Sequence, residues 1–124
     1  MGEGEKSLSY KDLIVWQKGI ALVKGVYALT RRFPADERFG LVSQMRRAAT
    51  SIPSNIAEGQ ARHTTKEFVQ FLSHAEGSLA EIETQLVLAI ELDYWGKAEA
   101  GATLELASEM KRMPNSLRRK LVTL

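Results

Sequence analysis

Gln44, Arg47, Ser51, Asn55 and Glu58 recur at intervals of three and four residues, which places them on one line of an α-helix. Further along, His74, Ser78, Glu81 and Gln85 recur in the same way. Their types could do chemistry: Glu58 and Glu81 as an acid and base pair, or His74 as a proton shuttle. Neither a nucleophile–base motif nor a Gly-rich phosphate loop accompanies them. A di-iron bundle would need Glu-x-x-His pairs. Here Gln60 stands three before His63, and Phe71 three before His74. We therefore expect no metal, no cofactor and no enzymatic activity, and read the nine residues as a structural polar seam between two helices.

The seam reading has a geometric basis. Leu41, Met45, Ala48, Ile52 and Ile56 form an apolar line about 100° around the helix from the first polar line. The second polar line sits beside Leu72, Ala75, Leu79, Ile82 and Leu86 in the same rotational sense. Two antiparallel helices whose polar lines face each other then turn both apolar lines to the same side. The register that results sets Gln44 near Gln85, Arg47 near Glu81, Ser51 near Ser78, and Asn55 near His74. Arg47 and Glu81 would form a charge-assisted pair, and Ala48, Ala49, Ala75, Gly77 and Ala80 would allow close approach. A slip by one turn preserves the same spacing.

A second chemical feature is charge. Net charge is only +2, yet it is unevenly placed, with five basic residues and no acid from Lys111 onward. Lys111, Arg112, Arg118, Arg119 and Lys120 share neighbouring faces of the last helix, and Lys11, Lys18 and Lys24 could extend them. Such a patch can neutralise phosphates of RNA or DNA. Without an interleaved aromatic it offers no platform for base stacking. The plainer reading is a solvated helix end, with cations near the negative pole of the helix dipole.

The elements that carry these residues are four helices. Residues 1–9 read as a flexible N-terminal tail, and residues 10–124 as one bundle domain. The first helix is predicted over 10–32, with one apolar stripe through Leu13, Trp16, Ile20, Val23 and Tyr27 and a second through Val15, Leu22, Val26, Leu29 and Phe33. Two apolar faces suit a helix that is central in its bundle or also meets another subunit. Pro34 stops it. The second helix is predicted from a cap at Asp36 to Gly59–Arg62, bent at Pro53. Thr64 and Glu67 form a capping box for the third, which runs to Tyr94 and breaks at Gly96. The fourth spans 98–122 and bends at Pro114. The pattern predicts an all-α, antiparallel up-down four-helix bundle.

Composition narrows the remainder. A chain of 124 residues with 44% apolar content can bury a core in one domain. With no cysteine and no apolar N-terminal run, it reads as cytoplasmic, and its apolar runs are too short to span a bilayer.

Several segments also carry a resemblance: Asp12 to Gln17, Phe33-Pro34, Phe39 to Leu41, Ser43 to Ala48, Ser51 to Gly59, and Glu67 through Ser78. Together they resemble the bacterial four-helix bundle family that includes the 23S ribosomal RNA intervening-sequence proteins. The chain departs mildly from that pattern at Ala61, where glycine is common, and at Thr64, where serine is usual. The resemblance implies assembly into a ring-like homopentamer. It also implies kinship with accessory proteins of diversity-generating retroelements, basic pentamers that engage nucleic acid and a reverse transcriptase. The family has no established enzymatic activity.

Two functions follow as expectations. The first is a non-enzymatic oligomeric scaffold that binds RNA or DNA through the basic end of the last helix. The second is a protein-interaction adaptor with no nucleic-acid role, suggested by the second apolar stripe of the first helix.

Overall fold

A computed structural model of the protein describes the backbone of residues 9–123 and the side chains of residues 9–114. Four helices account for most of it: α1 (Ile14–Thr30), α2 (Leu41–Gln60), α3 (Thr65–Glu91) and α4 (Lys97–Thr123). Each packs against its neighbours in sequence, α4 closes on α1, and the backbones of the diagonal pairs stay further apart. Among the described residues there is no strand.

Local chemistry sets the boundaries. Ser9 caps a short 3-10 turn at Tyr10–Asp12, accepting from the Lys11 amide at 3.1 Å. Leu13 then leaves helical geometry, so α1 starts at Ile14. The chain turns at Pro34 into a second 3-10 turn, Ala35–Glu37. The second helix therefore starts at Leu41, and Asp36 does not cap it. Glu37 takes that part, its Oε1 accepting from the Leu41 amide at 3.2 Å. At the start of α3, the Thr64 hydroxyl accepts from the Glu67 amide at 3.1 Å. Glu67 reaches back to the Thr64 hydroxyl rather than to its backbone, so only half of the reciprocal box forms. That helix ends at Glu91 instead of Tyr94. Asp93 turns the chain with φ of 62°, a conformation uncommon outside glycine. Both α2 and α4 continue through their internal prolines, Pro53 and Pro114.

The core is one cluster. Leu22, Val26, Met45, Ile52, Ile56, Leu72, Leu79, Ile82, Leu86 and Met110 are completely or almost completely buried. Each large aliphatic buried this way contributes roughly 1.5–3 kcal/mol. On α1 the stripe facing this core is Val15, Leu22, Val26 and Leu29, continued by Phe33. The other stripe is only half-buried at Trp16, Val23 and Tyr27, and Ile20 is exposed. The apolar pattern alone does not rank these two faces, because both repeat at helical spacing.

Close helix approach is set at three glycines, one of them Gly25 of α1, where a Cβ would lie 2.8 Å from the Thr103 hydroxyl of α4. A Cβ on Gly19 would lie 3.3 Å from the Pro53 ring, which brings α1 tightly against α2. One on Gly59 would lie 2.8 Å from Phe68 and Phe71, where α2 turns into α3. Gly77, by contrast, faces open space and plays no part in bringing α2 against α3.

Candidate functional site

The polar lines of α2 and α3 meet at their centre. The Ser51 and Ser78 hydroxyls share a hydrogen bond of 2.5 Å, and Ser51 Oγ lies 2.7 Å from the Ala48 carbonyl. Both serines are half-buried. The bond fixes an antiparallel register with Ser51 opposite Ser78, without a slip of one turn.

Away from that centre the lines do not pair. Arg47 and Glu81 are both exposed, and no ion pair joins them among the described residues. Glu81 instead accepts from Gln85 Nε2, one turn along its own helix, at 3.2 Å. Asn55 donates to the Ser51 carbonyl at 2.7 Å rather than to His74. His74 is exposed and sits edge-on to Phe71, ring centroids 5.7 Å apart. Glu58 pairs with Arg62 at 2.9 Å, and Gln44 is exposed. The physical reason is angular. A line at three-and-four spacing wanders around a straight helix, so only residues near the contact axis stay in the interface.

One seam residue is unusual. Gln85 is 6% exposed, and its Oε1 is buried without a hydrogen-bond partner. A buried orphan acceptor costs stability. Apart from it, the seam's buried or half-buried groups are spent on helix packing and on one another. Glu58 and Glu81 point to solvent without a shared cavity, so the arrangement has no acid–base geometry. Among the described residues, no group of three His, Cys, Asp or Glu could hold a metal ion. None of the described helices is long and apolar enough to cross a membrane.

The basic end of α4 is only partly described. Lys111 is joined to Glu83 of α3 at 3.3 Å, so it is a bundle contact before it is a free cation. Arg112 is exposed. The side chains of Arg118, Arg119 and Lys120 lie outside the described residues. Of the lysines near the start of the chain, Lys18 on α1 pairs with Glu109 at 3.1 Å, whereas Lys11 in the first 3-10 turn and Lys24 on α1 are exposed.

Two polar clusters were not visible in the spacing. Between α1 and α2, Arg46 donates to the Thr30 hydroxyl at 2.9 Å and covers the Tyr27 ring at 4.3 Å. Arg46 flanks the apolar line of α2 on the side opposite the polar line, which was the only sequence signal for it. At the loop end, the Tyr94 hydroxyl donates to Glu37 Oε2 at 2.5 Å, and Trp95 Nε1 donates to the Leu29 carbonyl at 3.0 Å. Phe33 packs against both rings, with centroids 4.8 and 5.0 Å away. The Tyr94 hydroxyl and the Leu41 amide hold the Glu37 carboxyl below its ordinary pKa. The same contact raises the Tyr94 phenol. Glu99 is also lowered, first by the Gly96 amide and then by Arg32, which it meets at 2.6 Å. These groups staple the α1–α2 and α3–α4 connections together, and no signal other than isolated aromatics marked them.

Comparison with known proteins agrees with this architecture. No curated protein matches the chain. A solved structure that does match is a protein of unknown function from the S23 ribosomal protein family of Bacteroides thetaiotaomicron VPI-5482. It is 23% identical, covers 85% of this chain and 98% of its own, and superposes with a TM-score of 0.76. At that identity the likeness speaks to the fold. The family model described as 23S rRNA-intervening sequence protein matches residues 11–116. The chain, read from its helices and from that match together, belongs to the 23S rRNA-intervening sequence protein family.

Proposed function

We propose that this protein is a non-enzymatic, cytoplasmic scaffold that works as a ring-like homo-oligomer and holds RNA or DNA through phosphate contacts. The observation that carries the nucleic-acid part is topological. An up-down bundle brings the start of α1, the α2–α3 loop and the end of α4 to one end of the molecule. Exposed Lys11 and Lys66 therefore lie toward the same end as the basic run that begins at Arg112, together with Arg62, which Glu58 already pairs. Repeated around a homopentamer, the assembly the family resemblance implies, that end would form a ring of cations. Lys111 contributes less to it, since Glu83 already neutralises it.

Fluorescence anisotropy with short RNA and DNA oligonucleotides at two salt concentrations tests the proposal. Affinity should fall steeply with salt, by a slope of about 0.7–0.9 in log–log terms per phosphate neutralised. Replacing Arg112, Arg118, Arg119 and Lys120 by Gln should flatten that slope. No binding at low salt would overturn it.

One observation favours the adaptor as a second reading. Phe39 is 90% exposed, with the Arg38 guanidinium 5.6 Å from its ring centroid. Aromatic residues, phenylalanine among them, and arginine are both enriched in protein interfaces relative to the rest of the surface.

A further inference from the structure

The basic run of α4 has no aromatic of its own, but the fold brings two toward it from the start of the chain. Ser9 and Asp12 cap the first 3-10 turn reciprocally, and Gln17 Nε2 donates to the Lys11 carbonyl at 2.8 Å. The chain doubles back there, so that Tyr10 lies edge-on to Trp16 with ring centroids 5.4 Å apart. This turn rests against α2, and Lys11 Nζ stands 6.0 Å from the Tyr10 centroid. Lys18 lies against Glu109 and Gly25 against Thr103, an antiparallel register that sets Arg112 level with Val15 and Trp16. Lys66 opens α3 at the same end of the bundle.

Packing does not account for both rings. Trp16 packs against the core, but no residue of the 3-10 turn is buried. At the opposite end, Tyr94 and Trp95 each spend their polar atom on a hydrogen bond, and Trp95 is 4% exposed. The Tyr10 hydroxyl and the Trp16 indole N–H make no hydrogen bond among the described residues, and neither is a buried orphan. Both therefore reach solvent, and each half-buried ring keeps open surface beside a cation. Asp12 is held on the Ser9 amide at 3.2 Å and forms no ion pair with Lys11 among the described residues. Phe71, also half-buried at this end, is covered by Arg62 at 4.9 Å, and Glu58 pairs that arginine.

We infer that Tyr10 and Trp16 form a stacking platform for bases, and that the nucleic acid held at this end is single-stranded. A duplex keeps its base faces inside its own stack. An unpaired strand offers a base to an aromatic ring while its phosphates meet Lys11, Lys66 and Arg112. The inference rests on the nucleic-acid binding of the proposed function and names the strand form that this end takes.

The two tryptophans make the test direct, because Trp95 is buried at the opposite end and only Trp16 lies at the platform. A short unstructured oligonucleotide should quench the tryptophan fluorescence of the full chain at low salt. The same sequence as a duplex should bind about tenfold more weakly. Tyr10→Ala should weaken single-strand binding about tenfold and leave duplex binding unchanged. Tyr10→Phe, which keeps the ring, should bind as the parent does. Circular dichroism melting of both variants should overlay the parent curve, since the 3-10 turn lies outside the core. Single-strand binding with no quenching and no loss in Tyr10→Ala overturns the platform and leaves the phosphate-binding scaffold in place. A preference for the duplex does the same. No binding of either form at low salt overturns both.

Discussion

Ser51 on α2 and Ser78 on α3 meet hydroxyl to hydroxyl at 2.5 Å, the one direct side-chain hydrogen bond between the two polar lines among the described residues. Around it, Ile52, Leu79 and Ile82 are buried, so the bond sits at the edge of the core rather than in water. A neutral bond in such a place contributes a net ~0.5–1.5 kcal/mol. Ser51→Ala and Ser78→Ala should each cost about that much in urea unfolding. The double variant should lose less than the two singles together, because they share one interaction. Strict additivity would mean that the hydroxyls do not act on each other.

A second prediction concerns the polar group that the core tolerates poorly. Gln85 keeps its Nε2 on Glu81 but buries Oε1 with no partner. Gln85→Met retains length and shape while removing the orphan acceptor. Glu81, being exposed, passes to water without penalty. Such a substitution should leave stability unchanged or raise it by up to about 1–3 kcal/mol, the usual penalty of an unsatisfied buried group. A clear loss in the same urea titration would show that the amide oxygen is satisfied in solution.

The limits of reading the fold from sequence appear in these same lines. Leu72, Ile82 and Leu86 on α3 show a helical period whose apolar face is buried as expected, because burial there follows from hydropathy alone. The Ser51–Ser78 contact was legible for the same reason: once both apolar faces must turn inward, the residues beside them are brought together. Arg47 and Glu81 fail because they sit further around the helix, where long side chains reach water more easily than each other. Asp36 has the right type for a cap, but the competing 3-10 turn at Ala35–Glu37 delays the helix to Leu41. The Glu37–Tyr94 staple joins residues far apart in sequence, and no periodicity encodes that.

Arg47 gives the third prediction. A buried pair with Glu81 would make Arg47→Ala severely destabilising, since it would strand a charge. In the structure Arg47 is exposed and joined to no carboxylate among the described residues, so removal strands nothing. Arg47→Ala should change unfolding free energy by no more than about 0.5 kcal/mol. Its thermal midpoint should overlay that of the parent protein. A drop of several degrees would restore the buried pair.

The fourth prediction is a pH profile with two limbs from one contact. Glu37 in the folded protein titrates below its ordinary value, chiefly because the Tyr94 hydroxyl donates to it. A lowered carboxyl contributes stability that is complete above its unfolded pKa, about 4, and lost as pH falls through the folded value. Tyr94 titrates above its ordinary value, chiefly through the same hydrogen bond. Its contribution is complete below the unfolded pKa, about 10, and is lost as pH rises through the raised folded value. Tyr94→Phe should therefore abolish the alkaline limb and shrink the acid limb in urea midpoints measured across pH. Part of the acid limb should persist, because the Gly96 amide and Arg32 also lower Glu99. Arg32→Gln should reduce that residue without touching the alkaline side. If Tyr94→Phe left both limbs intact, the hydroxyl–carboxylate bond would not form in solution.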